Sequence, residues 1–97
     1  MTHTTAKCIK NAYQIFLKSD LFTLSQCYTT ASTAKHRAFN YCLDLVMRYN
    51  ATKYRILGYN CMMFSFGFVG EINGKPAFFY ITKDYDRYIY LDEMGVV

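Results

Sequence analysis

The chain has no tryptophan, one proline (Pro76), five glycines and two histidines (His3 and His36) among its 97 residues. So little proline and glycine excludes collagenous and linker-type chains, whose backbones depend on those residues. No apolar run approaches the ~20 residues that span a bilayer. The polar start Met1-Thr2-His3-Thr4-Thr5 is not followed by a signal-type apolar core, which sets the expectation of a cytoplasmic protein without a membrane partner. The length allows one domain, residues 1–97, and excludes a TIM barrel or a two-domain enzyme.

Catalytic signatures are missing as well. There is no Gly-x-Ser-x-Gly elbow, phosphate-binding loop, His-Glu-x-x-His helix or dinucleotide fingerprint. His36 could serve a cysteine nucleophile as base, but Cys8, Cys27, Cys42 and Cys61 give four candidates and no local signature. The same four cysteines are widely spaced, with no Cys-x-x-Cys, so the paired ligands that preorganise a zinc tetrahedron are absent. A site of scattered singles, such as His3 with Cys8 and a distant pair, stays open beside the reading of Cys8, Cys42 and Cys61 as small buried apolar residues. Asp84 and Asp86 could hold a divalent ion or do acid–base work, or simply shape a turn. The expectation is a protein that is not an enzyme and needs no cofactor.

What is present is apolar and aromatic. Hydrophobic residues make up 53% and aromatics 19%, with ten Tyr and eight Phe, a balance suited to one core filled with large side chains. Residues 1–83 hold ten Lys/Arg against three Asp/Glu, and residues 84–97 hold Arg87 against four acids. The net +4 favours anionic partners without reaching the charge of a committed DNA-binding domain.

Periodicity gives the architecture. Ile9, Ala12, Tyr13 and Phe16 mark one face of a helix over residues 4–18, capped by Thr4 or Thr5. Ala34, Ala38, Tyr41, Cys42, Leu45 and Tyr49 form a stripe on a second helix over 32–49, with Asn50 as its left-handed C-terminal residue. The period then changes to two. Strands are expected over 53–59, 61–72, 77–82 and 87–91, with Asn73-Gly74 as a hairpin turn and Lys83–Asp86 as another. Pro76, which cannot donate to a ladder, falls at a strand start. Helices before strands predict an α+β domain, two N-terminal helices packed on one face of a C-terminal antiparallel meander of about four strands.

Three constellations could meet a partner. Phe64, Phe66 and Phe68 alternate on one strand, and Phe66-Gly67-Phe68-Val69 matches the centre of the strand motif with which RRM domains stack bases. Phe64 stands where that motif wants Lys or Arg, Ser65 where it wants Gly, and a hairpin follows where an RRM has a helix. The stronger reading puts these rings in the core, facing the two helices. Ser65, Gly67 and Val69 would then lie on the opposite face, where small residues let another surface approach. Second, Lys35, His36 and Arg37 open the second helix beside free backbone N–H groups, a workable anion site. Arg48, Lys53 and Arg55, around the helix–strand junction, would extend it. Third, Tyr85 and Arg87 combine the residue types of contact anchors. An aromatic edge strand also allows pairing into a homodimer, so monomer and homodimer both stay open.

The combination of Asn40-Tyr41-Cys42-x-x-Leu45, Met63-Phe64-Ser65-x-Gly67-Phe68 and Tyr80-Ile81-Thr82-x-x-Tyr85-Asp86-Arg87 resembles small accessory proteins of phages and mobile elements in Firmicutes, over residues 11–91. The resemblance implies an inhibitor of host defence, of the anti-CRISPR kind, that adheres to a nuclease complex and blocks its DNA or guide channel. Acidic DNA mimicry, one device of such proteins, does not fit a basic chain. The expected partner is therefore a surface of a host protein or ribonucleoprotein, such as a CRISPR effector nuclease. The alternative is a nucleic-acid-binding accessory protein using the basic residues and the sheet aromatics.

Overall fold

A computed structural model describes residues 6–27 and 34–97. Helix α1 (Ala6–Leu17) is followed by a short 3-10 turn (Leu24–Cys27) and helix α2 (Ala34–Arg48). Five strands complete the chain: β1 (Tyr54–Met62), β2 (Ser65–Ile72), β3 (Lys75–Ile81), β4 (Arg87–Leu91) and β5 (Gly95–Val96). They pair in sequence order, each antiparallel to the next. The α+β order of helices and meander is as expected, with β5 as an added strand beyond Leu91. Thr4, Thr5 and the start of the second helix at Ser32 lie outside the described residues. No helix among the described residues is long and apolar enough to cross a membrane.

The helices do not share a face of the sheet. Alternate residues of β2 and β3 sort into two clusters. Phe68, Ile72, Ala77, Phe79 and Ile81 join Ala38, Phe39, Cys42, Leu45 and Val46 of α2. Val69, Phe78 and Tyr90 join Ile9, Tyr13 and Phe16 of α1. The central strands are thus buried on both sides, which explains why β3 reads Ala-Phe-Phe-Tyr-Ile without polar alternation. Gly67 makes the second layer fit: a Cβ there would lie 2.5 Å from the Phe16 ring. The small residues opposite Phe66 and Phe68 do admit another surface, and that surface is α1.

Both central hairpins turn in two residues with positive φ, the pattern of the type I′ turn whose twist matches the strands. At Asn73-Gly74, between β2 and β3, the angles are 53° and 80°. At Met63-Phe64, between β1 and β2, they are 49° and 68°. The sequence pattern had placed Phe64 inside a strand; it occupies a turn instead, while Phe66 and Phe68 point toward α2. Cys61 belongs to β1, and Leu57 is an extra residue where the β1–β2 register shifts between Ile56 and Gly58. Phe22 pairs with Tyr59 through two backbone hydrogen bonds (2.7 and 3.1 Å), closing part of the outer edge of β1. Asn50, at φ 62°, ends α2 in the expected left-handed conformation.

Candidate functional site

The eight residues expected at a binding surface divide between two ends of the molecule. Lys35, His36 and Arg37 lie in the first turn of α2, with Lys35 and His36 half-buried and Arg37 exposed. Arg48 lies in the last turn, ~17 Å further along the axis at 1.5 Å per residue. Lys53 and Arg55 flank the Asn73-Gly74 turn. The backbone N–H of Lys53 donates to Asn73 Oδ1 (3.2 Å), and Arg55 pairs with Glu71 across the β1–β2 ladder (3.1 Å). Arg48, Lys53 and Arg55 therefore do not extend the patch of Lys35–Arg37. Helix α2 and the strands carry them to the far end of the sheet.

Tyr85 and Arg87 come to the first end, where they bind the chain to itself. Arg37 lies over the Tyr85 ring (5.3 Å to its centroid) and donates to its hydroxyl (3.4 Å). Tyr85 meets Tyr41 edge to face at 5.4 Å, and Arg87 sits 3.7 Å from the centre of the Tyr41 ring. Asp44, one turn along α2 from Tyr41, lies 3.7 Å from Arg87. Each guanidinium thus has an aromatic face, and one has a carboxylate, for neighbours. This ladder clamps the 82–86 loop onto α2. The loop closes on itself through Thr82: Asp86 N–H donates to Thr82 Oγ1 (3.0 Å) and Thr82 N–H to the Asp86 carbonyl (2.9 Å). Asp84 and Asp86 keep exposed side chains at the turn.

Among the described residues, the most exposed large apolar side chains belong to residues that the sequence pattern hides in a strand. Met63 is 91% and Phe64 80% accessible at the tip of the first hairpin. Neither is a residue that tolerates positive φ cheaply, since a left-handed backbone costs an L-residue with a Cβ roughly 1–2 kcal/mol. On the α2 side of the tip lies a groove with Phe64 as one wall and Ala34, Cys61, Phe66, Lys83 and Tyr85 as the others. A neighbouring depression shares Cys61 and Phe66 and adds Lys35 and Phe22. On the other side of the tip, Met63 and Ser65 border Lys83, Asp84 and Asp86. Lys83 borders both sides of the hairpin; the α2 side is otherwise mostly apolar, and the other side adds Asp84 and Asp86. Nothing in Cys61-Met62-Met63-Phe64 carries turn chemistry, so the tip had no local signal.

Cys42 is buried as expected, whereas Cys8 and Cys61 are exposed. Among the described residues, no group of three His, Cys, Asp or Glu side chains could hold a metal ion. His3 lies outside them. The hydroxyls raised above the ordinary tyrosine range, Tyr13 and Tyr90, sit under α1, away from the tip. Burial is the main cause in both, with the negative charge of Asp92 second. Comparison with protein-family models, curated proteins and solved structures returns no match.

Proposed function

We propose that the chain is a non-catalytic binding protein that docks on a host protein or ribonucleoprotein through its Met63–Phe64 end. The observation that carries this reading is the tip itself. Exposing a Met and a Phe costs solvation, and holding both at positive φ costs backbone energy. Strain of this kind persists where it serves a site. The Asn73-Gly74 turn shows that the same sheet closes a hairpin of the same geometry with residues that suit it. Burying the Phe64 ring in a partner would return about 1.5–3 kcal/mol, one to two orders of magnitude in affinity.

The resemblance to mobile-element accessory proteins supplies the partner: a host defence nuclease complex, with a CRISPR effector as the first candidate. The mode is steric, with the chain covering a nucleic-acid channel. The nucleic-acid alternative has less support. Both faces of the sheet are covered by helices, so Phe66 and Phe68 offer no open platform for bases, and the basic residues do not form one track.

The test is target cleavage by purified effector complexes with increasing amounts of the chain. The expected result is inhibition that saturates near one chain per complex and is lost in the double variant Met63→Asn/Phe64→Gly. Inhibition that the variant retains would remove the tip from the account. Inactivation far below one equivalent would make the chain an enzyme, and cleavage unchanged by excess chain would remove the nuclease as partner.

A further inference from the structure

We infer that the groove beside the tip takes a protein segment in which a bulky apolar side chain is flanked by carboxylates. This rests on the docking reading above and names the chemistry of what docks. The groove walls are apolar: Ala34 at the start of α2, Cys61 at the end of β1, and the Phe64 and Phe66 rings. Such a trough takes an aliphatic or aromatic side chain.

Among the described residues, the charged side chains that line it and the depression beyond are cationic. Lys83 lines the groove, Lys35 lines the depression that continues it past Cys61, and Arg37 covers Tyr85 at its edge. Among the described residues, no carboxylate lines the groove or that depression. Asp44 is beside Arg87, and Asp84 and Asp86 border the opposite side of the hairpin. A segment entering from the α2 side thus meets three cations around an apolar trough, and acidic flanks complete that field.

Other occupants fit worse on the same observations. A single nucleic-acid strand needs successive open rings; besides Phe64 the groove offers Phe66, half-buried against the α2 cluster, and Tyr85, which already has Arg37 over its face. A second copy would set Lys35, Arg37 and Lys83 against the same cations. An anionic lipid surface receiving Met63 would press on Asp84 and Asp86.

The experiment is selection of random dodecamer peptides displayed on phage against the full chain, followed by titration of the enriched sequences as labelled synthetic peptides. Enrichment of Phe, Tyr, Trp or Leu flanked by Asp and Glu is expected. Lys35→Glu/Lys83→Glu should weaken those peptides about tenfold, the factor that corresponds to the loss of roughly 1.4 kcal/mol. Met63→Asn/Phe64→Gly, whose new residues favour the turn, should abolish binding in a chain whose circular dichroism shows it folded. Basic or uncharged consensus peptides, no enrichment, or affinities unchanged by the charge reversal would overturn the inference. So would labelled oligothymidylate binding more tightly than the peptides at physiological salt. The nuclease assay separates the two levels. If Met63→Asn/Phe64→Gly abolishes inhibition and Lys35→Glu/Lys83→Glu leaves it intact, docking stands and the acidic partner falls. If neither variant matters, the docking reading falls.

Discussion

Gly67 carries more of this fold than its size suggests. It is the point on β2 where the Phe16 ring of α1 comes down onto the sheet, with Phe78 beside it. Gly67→Ala should destabilise the protein by about 1–3 kcal/mol, the usual cost of overfilling a packed site. A urea midpoint equal to that of the natural chain would show that Phe16 can move aside. Under the same helix, Tyr13 and Tyr90 keep their protons above their ordinary 10.0, by burial first and by the charge of Asp92 second. Above pH 10 the unfolded chain releases protons that the folded chain still holds. The contribution is therefore complete below 10 and lost as pH rises through the folded values. Urea midpoints should fall on the alkaline side, and Tyr90→Phe should flatten that fall. An identical alkaline slope in the variant would mean that Tyr90 has no part in it.

At the scale of elements, the chain's own periodicities decide what could be read without coordinates. Helix α1 and helix α2 follow from stripes at Ile9, Tyr13 and Phe16 and at Ala38, Cys42 and Leu45, because a single buried face imposes the 3.6-residue repeat. The Asn73-Gly74 turn follows from residues that accept positive φ. The three-layer arrangement does not follow from helix order, although the unbroken apolar run in β3 is its trace. The Met63-Phe64 turn left no trace, since its residues are chosen against the local backbone preference. Likewise Tyr85 and Arg87, whose composition suggested contact with a partner, are held by Arg37, Tyr41 and Asp44, pairings that no spacing in the sequence announces. Arg87→Ala should cost about 1 kcal/mol through the lost cation–π contact and partly exposed ion pair. It should also raise amide exchange in the 82–86 loop. Arg55→Ala, which breaks only an exposed pair, should leave that loop unchanged. Equal exchange in the Arg87 variant and the natural chain would show that the loop needs no clamp.

Across the whole molecule, the candidate basic residues are spread over two ends and the large exposed apolar side chains of the first hairpin sit at one of them. The far end closes its hairpin with Asn73-Gly74, residues that accept positive φ. The tip end does the reverse, holding Met63 and Phe64 in water on a backbone that suits neither. The most direct test of the claim that this arrangement serves docking rather than folding is the unfolding free energy of Met63→Asn/Phe64→Gly, measured by urea titration against the natural chain. If the tip is kept for a partner, turn-favouring residues should raise stability by about 1–2 kcal/mol, the strain they relieve. A variant equal in stability to the natural chain, or less stable, would show that Met63 and Phe64 carry no strain to relieve, and the tip would lose its claim as a binding site.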